Sequence, residues 1–170
     1  STVTVFFFLR IRRPPISPLF PYTTLSRAAP NAGQLGQARN GASCPKCNLF
    51  QADFSGLTLS GKSYAGARLR QADLSLSIMT RTNFSGGDLR DVEAYGGVFT
   101  GSNFGGANLT NASFVGTHLQ GASFRGANLT GTNFSGAEMD RATGLSQGQL
   151  NAACGDSATR LPGNLRIPAC

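Results

Sequence analysis

The chain has 170 residues, with four cysteines, no tryptophan and a formal net charge of +7. This length allows one folded domain with terminal tails. Between residues 47 and 141 the sequence has seven basic and seven acidic side chains, so the positive excess lies outside this segment. A segment with balanced charge offers no basic groove for phosphates, which argues against a nucleic-acid partner.

Residues 1–27 differ in character from the rest of the chain. Their apolar run VFFFL is too short to span a bilayer, and the arginines and prolines that follow do not resemble a signal-peptide cleavage region. The segment resembles a translated sequencing adaptor, and we predict a non-native or disordered leader. A basic, apolar membrane anchor is the alternative. A true secretion signal would have been lost together with the native start.

Residues 28–43 are predicted to form an N-terminal cap. Asn31 followed by Gln34 is a possible capping box, and Asn40-Gly41 is a typical helix stop. The pattern predicts a short helix from about 32 to 39, which would cover one end of the following segment.

Residues 44–141 contain an apolar residue at every fifth position. A period of five fits neither a helix, which repeats at 3.6, nor a strand, which alternates at 2. Each unit is therefore predicted to be a short extended piece followed by a turn, which a glycine two positions later often permits. Such units bury their apolar face only by stacking into a solenoid. The nineteen residues are Leu49, Phe54, Leu59, Tyr64, Leu69, Leu74, Met79, Phe84, Leu89, Ala94, Phe99, Phe104, Leu109, Phe114, Leu119, Phe124, Leu129, Phe134 and Met139.

The number of units in one coil follows from the residue types. Every twentieth residue from Leu49 to Leu129 is leucine, and every twentieth from Tyr64 to Phe124 is aromatic. Reading every fifteenth residue gives no uniform column. Four units per coil therefore stack like on like, which predicts a four-sided prism of nearly five coils, about 23 Å long at the spacing of hydrogen-bonded strands.

The units ADFSG (52–56), ADLSL (72–76), ANLTN (107–111), ANLTG (127–131) and TNFSG (132–136) resemble the pentapeptide-repeat family. The resemblance implies an all-β solenoid, a right-handed quadrilateral β-helix, and the hand comes from the resemblance alone. Topoisomerase-protecting members are associated with an acidic, duplex-mimicking rod, which the balanced charge argues against. Leu57 and Lys62 depart from the pattern at small-residue positions, and Lys62 is expected to displace its segment outward.

Residues 142–170 are predicted to form a C-terminal cap. Ser146 and Gln149 form a capping-box pair, QLNAAC is expected to carry the helix, and Gly155 to end it. The segment TRLPGNLRIPAC is interrupted by Pro162, Gly163 and Pro168, so we expect it to wrap back over the last coil.

The four cysteines form two pairs, Cys44 with Cys47 and Cys154 with Cys170. Two structural disulfides are favoured, and four buried or free thiols are the alternative. A zinc site is disfavoured because the pairs lie at opposite ends of the predicted prism. Disulfides would place the protein in an oxidising compartment, such as a bacterial periplasm, or outside the cell; a cytoplasmic location is the alternative.

The sequence offers no catalytic, cofactor-binding or metal-binding constellation. His118 is the only histidine and is predicted to lie on the outer surface. Asp53, Asp73 and Glu93 would stack on one side, but Arg70 and Arg90 lie just around the corner. A solvated charge ladder is therefore favoured over a metal site.

The candidate partner surface is an apolar strip on outward positions of the middle coils: Leu76, Ile78, Tyr95, Val98, Val115 and His118. A contiguous apolar strip is typical of an interaction site. The alternative is that β-branched residues at these positions simply favour strand geometry. We predict a non-enzymatic structural or protein-binding module for an unidentified protein partner or a homodimer. The alternatives are a topoisomerase-directed DNA mimic and an enzyme with an external cleft.

Overall fold

The computed structural model describes residues 29–170, and the predicted leader 1–27 lies outside the described residues. Two helices flank the repeats: α1 is Ala32–Arg39 and α2 is Gln147–Asn151. The segment between them has isolated parallel bridges instead of long strands. Each bridge joins a residue to the one twenty positions later, from Asn48 with Arg68 to Ser123 with Thr143. One coil is therefore four units long, as predicted.

Each side of the prism is held by a ladder of backbone hydrogen bonds. On the second side, the Phe54 N–H donates to the carbonyl of Asp73 at 2.8 Å, and the Asp73 N–H donates to Ala52 at 2.9 Å. Gly56 continues the ladder by donating to Ser75 at 2.9 Å. Equivalent bonds join neighbouring coils along all four sides of the prism.

The corners are tight turns that need a left-handed residue. At the corner after Phe54, the Leu57 N–H donates to the Phe54 carbonyl at 3.1 Å, and Gly56 has φ +67°. This combination is a type II turn, in which the third residue has positive φ and is usually glycine. Within residues 29–170, eight non-glycine residues also have positive φ: Lys46, Gln51, Gln71, Leu76, Arg81, Asp91, Asn111 and Arg141.

The core is filled by the predicted series, and all nineteen residues are buried. On the fourth side the aromatic rings stack: Tyr64 to Phe84 at 5.7 Å between centroids, Phe84 to Phe104 at 5.1 Å, and Phe104 to Phe124 at 5.3 Å. Buried hydroxyls in the small-residue series bond to backbone carbonyls, as Ser77 does to Leu74 at 2.7 Å. The frame predicted from the five-residue period is confirmed.

The expected outward displacement at Lys62 is wrong. The carbonyl of Lys62 accepts from Asn83 at 2.9 Å, and that of Leu57 accepts from Ile78 at 2.8 Å. Both side chains are half-buried, whereas most residues at equivalent positions are fully buried. The ladder holds the backbone in place, and the two longer side chains extend partly to solvent instead.

Helix α1 begins at the position that the sequence predicts, although its capping box is only half formed. The Asn31 side chain accepts from the Gln34 N–H at 3.0 Å. The Gln34 side chain does not return to Asn31 and instead accepts from Asn48 N at 2.8 Å. The Asn31 N–H in turn donates to the Asn48 carbonyl at 3.0 Å. This exchange attaches the helix to the first coil.

Helix α2 is closed at its start by the predicted capping box between Ser146 and Gln149. The helix is shorter than predicted, with its C-cap at Ala152. Gly155, which was predicted to end the helix, instead pairs with Ala169. The Gln149 amide also donates to the exposed carbonyls of Phe124 and Ala127, at 2.8 and 3.0 Å. The cap thereby satisfies backbone groups that an open solenoid end would expose.

The tail after α2 continues the ladder before it turns back. Cys154 pairs with Asn133, and Arg160 pairs with Glu138, which adds part of a further coil. Cys44 and Cys47 lie at disulfide distance with their Cα atoms 5.5 Å apart, as do Cys154 and Cys170 at 4.8 Å. One pair therefore lies at each end of the prism, next to a cap.

Candidate protein-interaction surface

The six residues of the predicted strip lie along the third side and the corner that leads into it. Ile78 pairs with Val98, and Val98 pairs with His118, so these three are stacked in register. At the corner, the Leu76 N–H donates to the Tyr95 carbonyl at 2.8 Å. We call this set, with Val115, the apolar strip: Leu76, Ile78, Tyr95, Val98, Val115 and His118.

The most exposed apolar residues of the apolar strip lie in the second and third coils, nearer the N-terminal end of the prism. Leu76 is 62% exposed, Tyr95 58% and Ile78 43%, and they are the exposed large hydrophobic residues of 29–170. Val98 and Val115 are half-buried. Three exposed apolar side chains at one corner of two adjacent coils form a patch, whereas isolated ones would be ordinary.

Leu76 has an unusual backbone conformation. Its φ is +56°, in the left-handed region that a bulky residue rarely adopts. The other non-glycine residues with positive φ in residues 29–170 are all polar or charged. The Leu76 side chain lies against Gly96, where an added Cβ would come within 2.8 Å of Leu76 Cδ2. Glycine in the next coil thus leaves room for a leucine that the turn itself does not favour.

A polar cluster ends the apolar strip on the C-terminal side. His118 Nδ1 lies 3.1 Å from a carboxylate oxygen of Glu138, and the Gln120 amide donates to the same oxygen. The bonds from His118 and then Gln120 hold the pKa of Glu138 below its ordinary value. His118 therefore belongs to the rim of the apolar strip and not to its apolar centre.

The stacked carboxylates are engaged in their own turns. Asp53 accepts from the Ser55 N–H at 2.9 Å and from its hydroxyl at 2.6 Å, which lowers the pKa of Asp53. Asp73 accepts from Ser75 N at 2.9 Å. The neighbouring arginines pair with other aspartates: Arg70 lies 3.3 Å from Asp91, and Arg90 lies 2.7 Å from Asp88. Within residues 29–170 no three His, Cys, Asp or Glu side chains are grouped to hold a metal ion.

Residues 29–170 form at least two grooves on the outside of the prism. One, of about 500 Å³, follows the corner after the third side. The other, of about 440 Å³, lies between the last coil and the C-terminal tail, and it is the candidate for the external cleft that an enzyme would need. Its lining has no ionisable side chain and consists of Ala142, Gly144, Leu145, Pro162, Gly163, Asn164 and Leu165. Neither helix of residues 29–170 has the length and apolarity of a transmembrane segment.

The fold defines a class of protein: a capped, four-sided β-solenoid with a filled core. Residues 65–93 and 107–143 match the family model for pentapeptide repeats, in eight copies. These two segments therefore contain pentapeptide repeats.

Solved structures show the same fold. HetL is a pentapeptide repeat protein involved in heterocyst differentiation regulation from the cyanobacterium Nostoc sp. strain PCC 7120. It is 24% identical with a TM-score of 0.59, over 78% of this chain and 57% of HetL. A trypsin-treated form of QnrB1, a plasmid-mediated fluoroquinolone resistance protein, is 22% identical with a TM-score of 0.51, over 66% of this chain and 59% of QnrB1. The chain thus spans less than two thirds of either protein. No curated protein sequence matches it.

Proposed function

We propose that the protein is a non-enzymatic binding module that presents rigid, flat faces to a protein partner or to a second copy of itself. The apolar strip is the proposed contact surface, with Tyr95 as its aromatic anchor. Aromatic side chains are enriched among residues that dominate binding energy. The right-handed winding of the solenoid, which the family resemblance implies, is part of this proposal.

The observation that carries the proposal is the conformation of Leu76. A glycine at this corner would satisfy the turn without strain, and a polar residue would at least remain solvated. The chain instead holds a leucine at φ +56° with most of its side chain in water. Sparsely populated backbone conformations cost about 1–3 kcal/mol and are concentrated at functional sites. An exposed, apolar and strained residue is best explained by contact with another molecule.

The test replaces two central residues of the apolar strip with lysine, in the variant Ile78→Lys with Val98→Lys. The matched control is Asn83→Lys with Asn103→Lys, which adds the same charge at the same position of the same coils on the fourth side. Sedimentation velocity and pull-down from the source cells should show an association that the first variant loses and the control keeps. If wild type is monomeric and both variants retain every captured partner, the proposal fails.

The two other functions lack support from the site. A topoisomerase-directed DNA mimic needs a strongly acidic surface, whereas residues 47–141 carry seven basic side chains beside seven acidic ones. Two of the acidic residues, Asp88 and Asp91, are each paired with an arginine. An enzyme with an external cleft needs ionisable or nucleophilic side chains in that cleft, and the groove beside the tail is lined without them.

The cysteine pairs are proposed to be structural disulfides. Their Cα separations of 5.5 and 4.8 Å fit the range for such bonds. Each pair lies at one end of the prism, where a repeat array is most exposed to fraying. We accordingly propose an oxidising compartment, such as a bacterial periplasm, for the protein.

A further inference from the structure

The groove at the corner after the third side is bounded by two arginines without partners. Arg81 and Arg141 occupy the corner position in the second and fifth coils, and Gly101 and Gly121 occupy it between them. Both arginines are exposed, and neither forms an ion pair or side-chain hydrogen bond with any part of residues 29–170. By contrast, Arg70 and Arg90 on the first side are both paired with aspartates.

The glycines form the floor of this groove. An added Cβ at Gly101 would lie 3.3 Å from Arg81 Cγ, so the Arg81 side chain runs along the corner across Gly101. A Cβ added at Gly121 would meet only the backbone of Gly101, at 4.0 Å. The absence of side chains at two successive corners opens the groove of about 500 Å³.

The walls and floor offer unused hydrogen-bonding groups. The Gly61 and Gly101 N–H groups donate to the next coil at 2.8 and 2.9 Å. The equivalent Gly121 N–H has no acceptor within residues 29–170. The Thr100 hydroxyl likewise has no partner in this part of the chain. The Gly121 N–H and the Thr100 hydroxyl are therefore two donors without acceptors in residues 29–170, and they lie between two cationic side chains. This combination suits an anionic ligand.

We propose that this groove binds an extended acidic polypeptide segment with two carboxylates on one face. Arg81 and Arg141 are three coils apart, or about 14 Å at the spacing of hydrogen-bonded strands. An extended chain advances about 3.3 Å per residue and repeats its side-chain direction every second residue. Carboxylates four residues apart thus point the same way, lie about 13 Å apart and reach both arginines. The peptide groups between them can bond to the Gly121 N–H and the Thr100 hydroxyl.

The spacing of charge disfavours a nucleic acid at this groove. A DNA strand carries one phosphate for about every 3.4 Å of helix axis, so about four would lie along the groove. The groove has cations only at its two ends, with uncharged Thr80, Thr100 and Gln120 between them. Asp140, which precedes Arg141 in the chain, does not line the groove.

The proposal deepens the proposed function by naming the chemistry of a partner segment. It concerns an adjoining surface: the apolar strip lies along the third side, and the groove follows the corner after that side. None of the six residues of the apolar strip lines the groove. The Ile78→Lys, Val98→Lys variant should therefore retain the acidic peptide even if it loses every other association. Failure of one proposal leaves the other testable.

The experiment measures binding of a fluorescein-labelled, end-capped peptide with two glutamates four residues apart, by fluorescence anisotropy at fixed ionic strength. Wild type should bind it saturably, and Arg81→Gln with Arg141→Gln should weaken binding about tenfold or more. Glutamine is tolerated at this corner position, because Gln51 and Gln71 occupy it with φ 56° and 60° on another corner. The matched control is Arg125→Gln with Arg166→Gln, which removes the same charge outside the groove and should leave affinity within about twofold.

A second variant tests the shape of the groove without changing charge. Gly101→Asn places a side chain on the floor and against Arg81, and asparagine is accepted at a left-handed corner, as at Asn111 with φ 58°. It should also weaken binding. Equal loss in the control and the groove variants, no binding to wild type, or equal binding of a single-stranded oligonucleotide of the same net charge would each overturn the proposal.

Discussion

Replacing Phe104 with alanine tests the five-residue frame at its centre. Phe104 is fully buried and stacks between Phe84 and Phe124 at 5.1 and 5.3 Å, with interplanar angles of 7° and 8°. Phe99 and Phe114 meet the ring edge-on at 6.0 and 5.6 Å. The variant loses the burial of one ring and four ring contacts, and the ladders restrict collapse of the resulting cavity. We expect a cost of about 3–5 kcal/mol.

A matched control comes from a phenylalanine on the outside of the prism. Phe50 is half-buried and has Arg68 over its ring, 4.6 Å from the centroid. Phe50→Ala removes the same atoms and should cost only about 1 kcal/mol, because an exposed cation–π contact is weak.

Thermal unfolding followed by circular dichroism compares the two variants. At about 2–4 °C per kcal/mol for a chain of this size, Phe104→Ala should lower Tm by roughly 6–20 °C. Phe50→Ala should lower it by a few degrees at most. Equal shifts, or no shift for Phe104→Ala, would show that the inward and outward positions are misassigned.

Four further predictions concern Tyr64, the cysteine pairs and Asp156. Tyr64 is buried and its hydroxyl has no partner within residues 29–170, so Tyr64→Phe should raise stability by about 1 kcal/mol in urea unfolding; a loss would reveal a partner for that hydroxyl. Burial also raises the pKa of Tyr64 to about 12, which ultraviolet titration checks, and ionisation near 10 would refute it. Protein exported to the periplasm should be four hydrogens lighter by mass spectrometry than its reduced form, and four alkylatable thiols in native protein would contradict this. Closing the loop from Cys154 to Cys170 should contribute about 3 kcal/mol to the free energy of unfolding. Bonds to the Asp156 carboxylate, first from the Gly136 N–H, lower its pKa below the ordinary 3.8. The stability that these bonds provide is complete above pH 3.8 and is lost as the pH falls through the lower pKa of the folded state. An Asp156→Asn variant should therefore show a flatter dependence of Tm on pH in the acidic range below 3.8. Identical dependence of Tm on pH in wild type and variant would refute the effect.

The repeat region was predictable from sequence because its period repeats many times. Each of the nineteen apolar residues indicates independently where a five-residue unit begins and which side chain points inward. A local departure, such as the small residue Ala94, therefore does not shift the predicted register. The Ser146 and Gln149 pair was predictable for a similar reason, since a capping box involves residues only three positions apart.

Features that depend on neighbouring coils were not predictable in the same way. Gln34 bonds to Asn48 across the end of the prism because the helix lies against the first coil, and sequence spacing alone favoured its return to Asn31. Gly155 was expected to end a helix, yet its partner is Ala169 in the returning tail. The exposed positions of the apolar strip followed from the period. The positive φ of Leu76 was signalled only by leucine standing where most equivalent corners have glycine.

Photo-crosslinking from position 95 tests the central claim, that the apolar strip is an interaction surface. Tyr95 is replaced with a photoreactive phenylalanine analogue, and Asn103 on the fourth side is replaced in the same way as a control. The variants are illuminated both as purified protein and in cells of the source organism. The account predicts a discrete crosslinked product from position 95, either a dimer or one protein adduct, and none from position 103. Identical patterns from the two positions, or no product from position 95 in either setting, would contradict it.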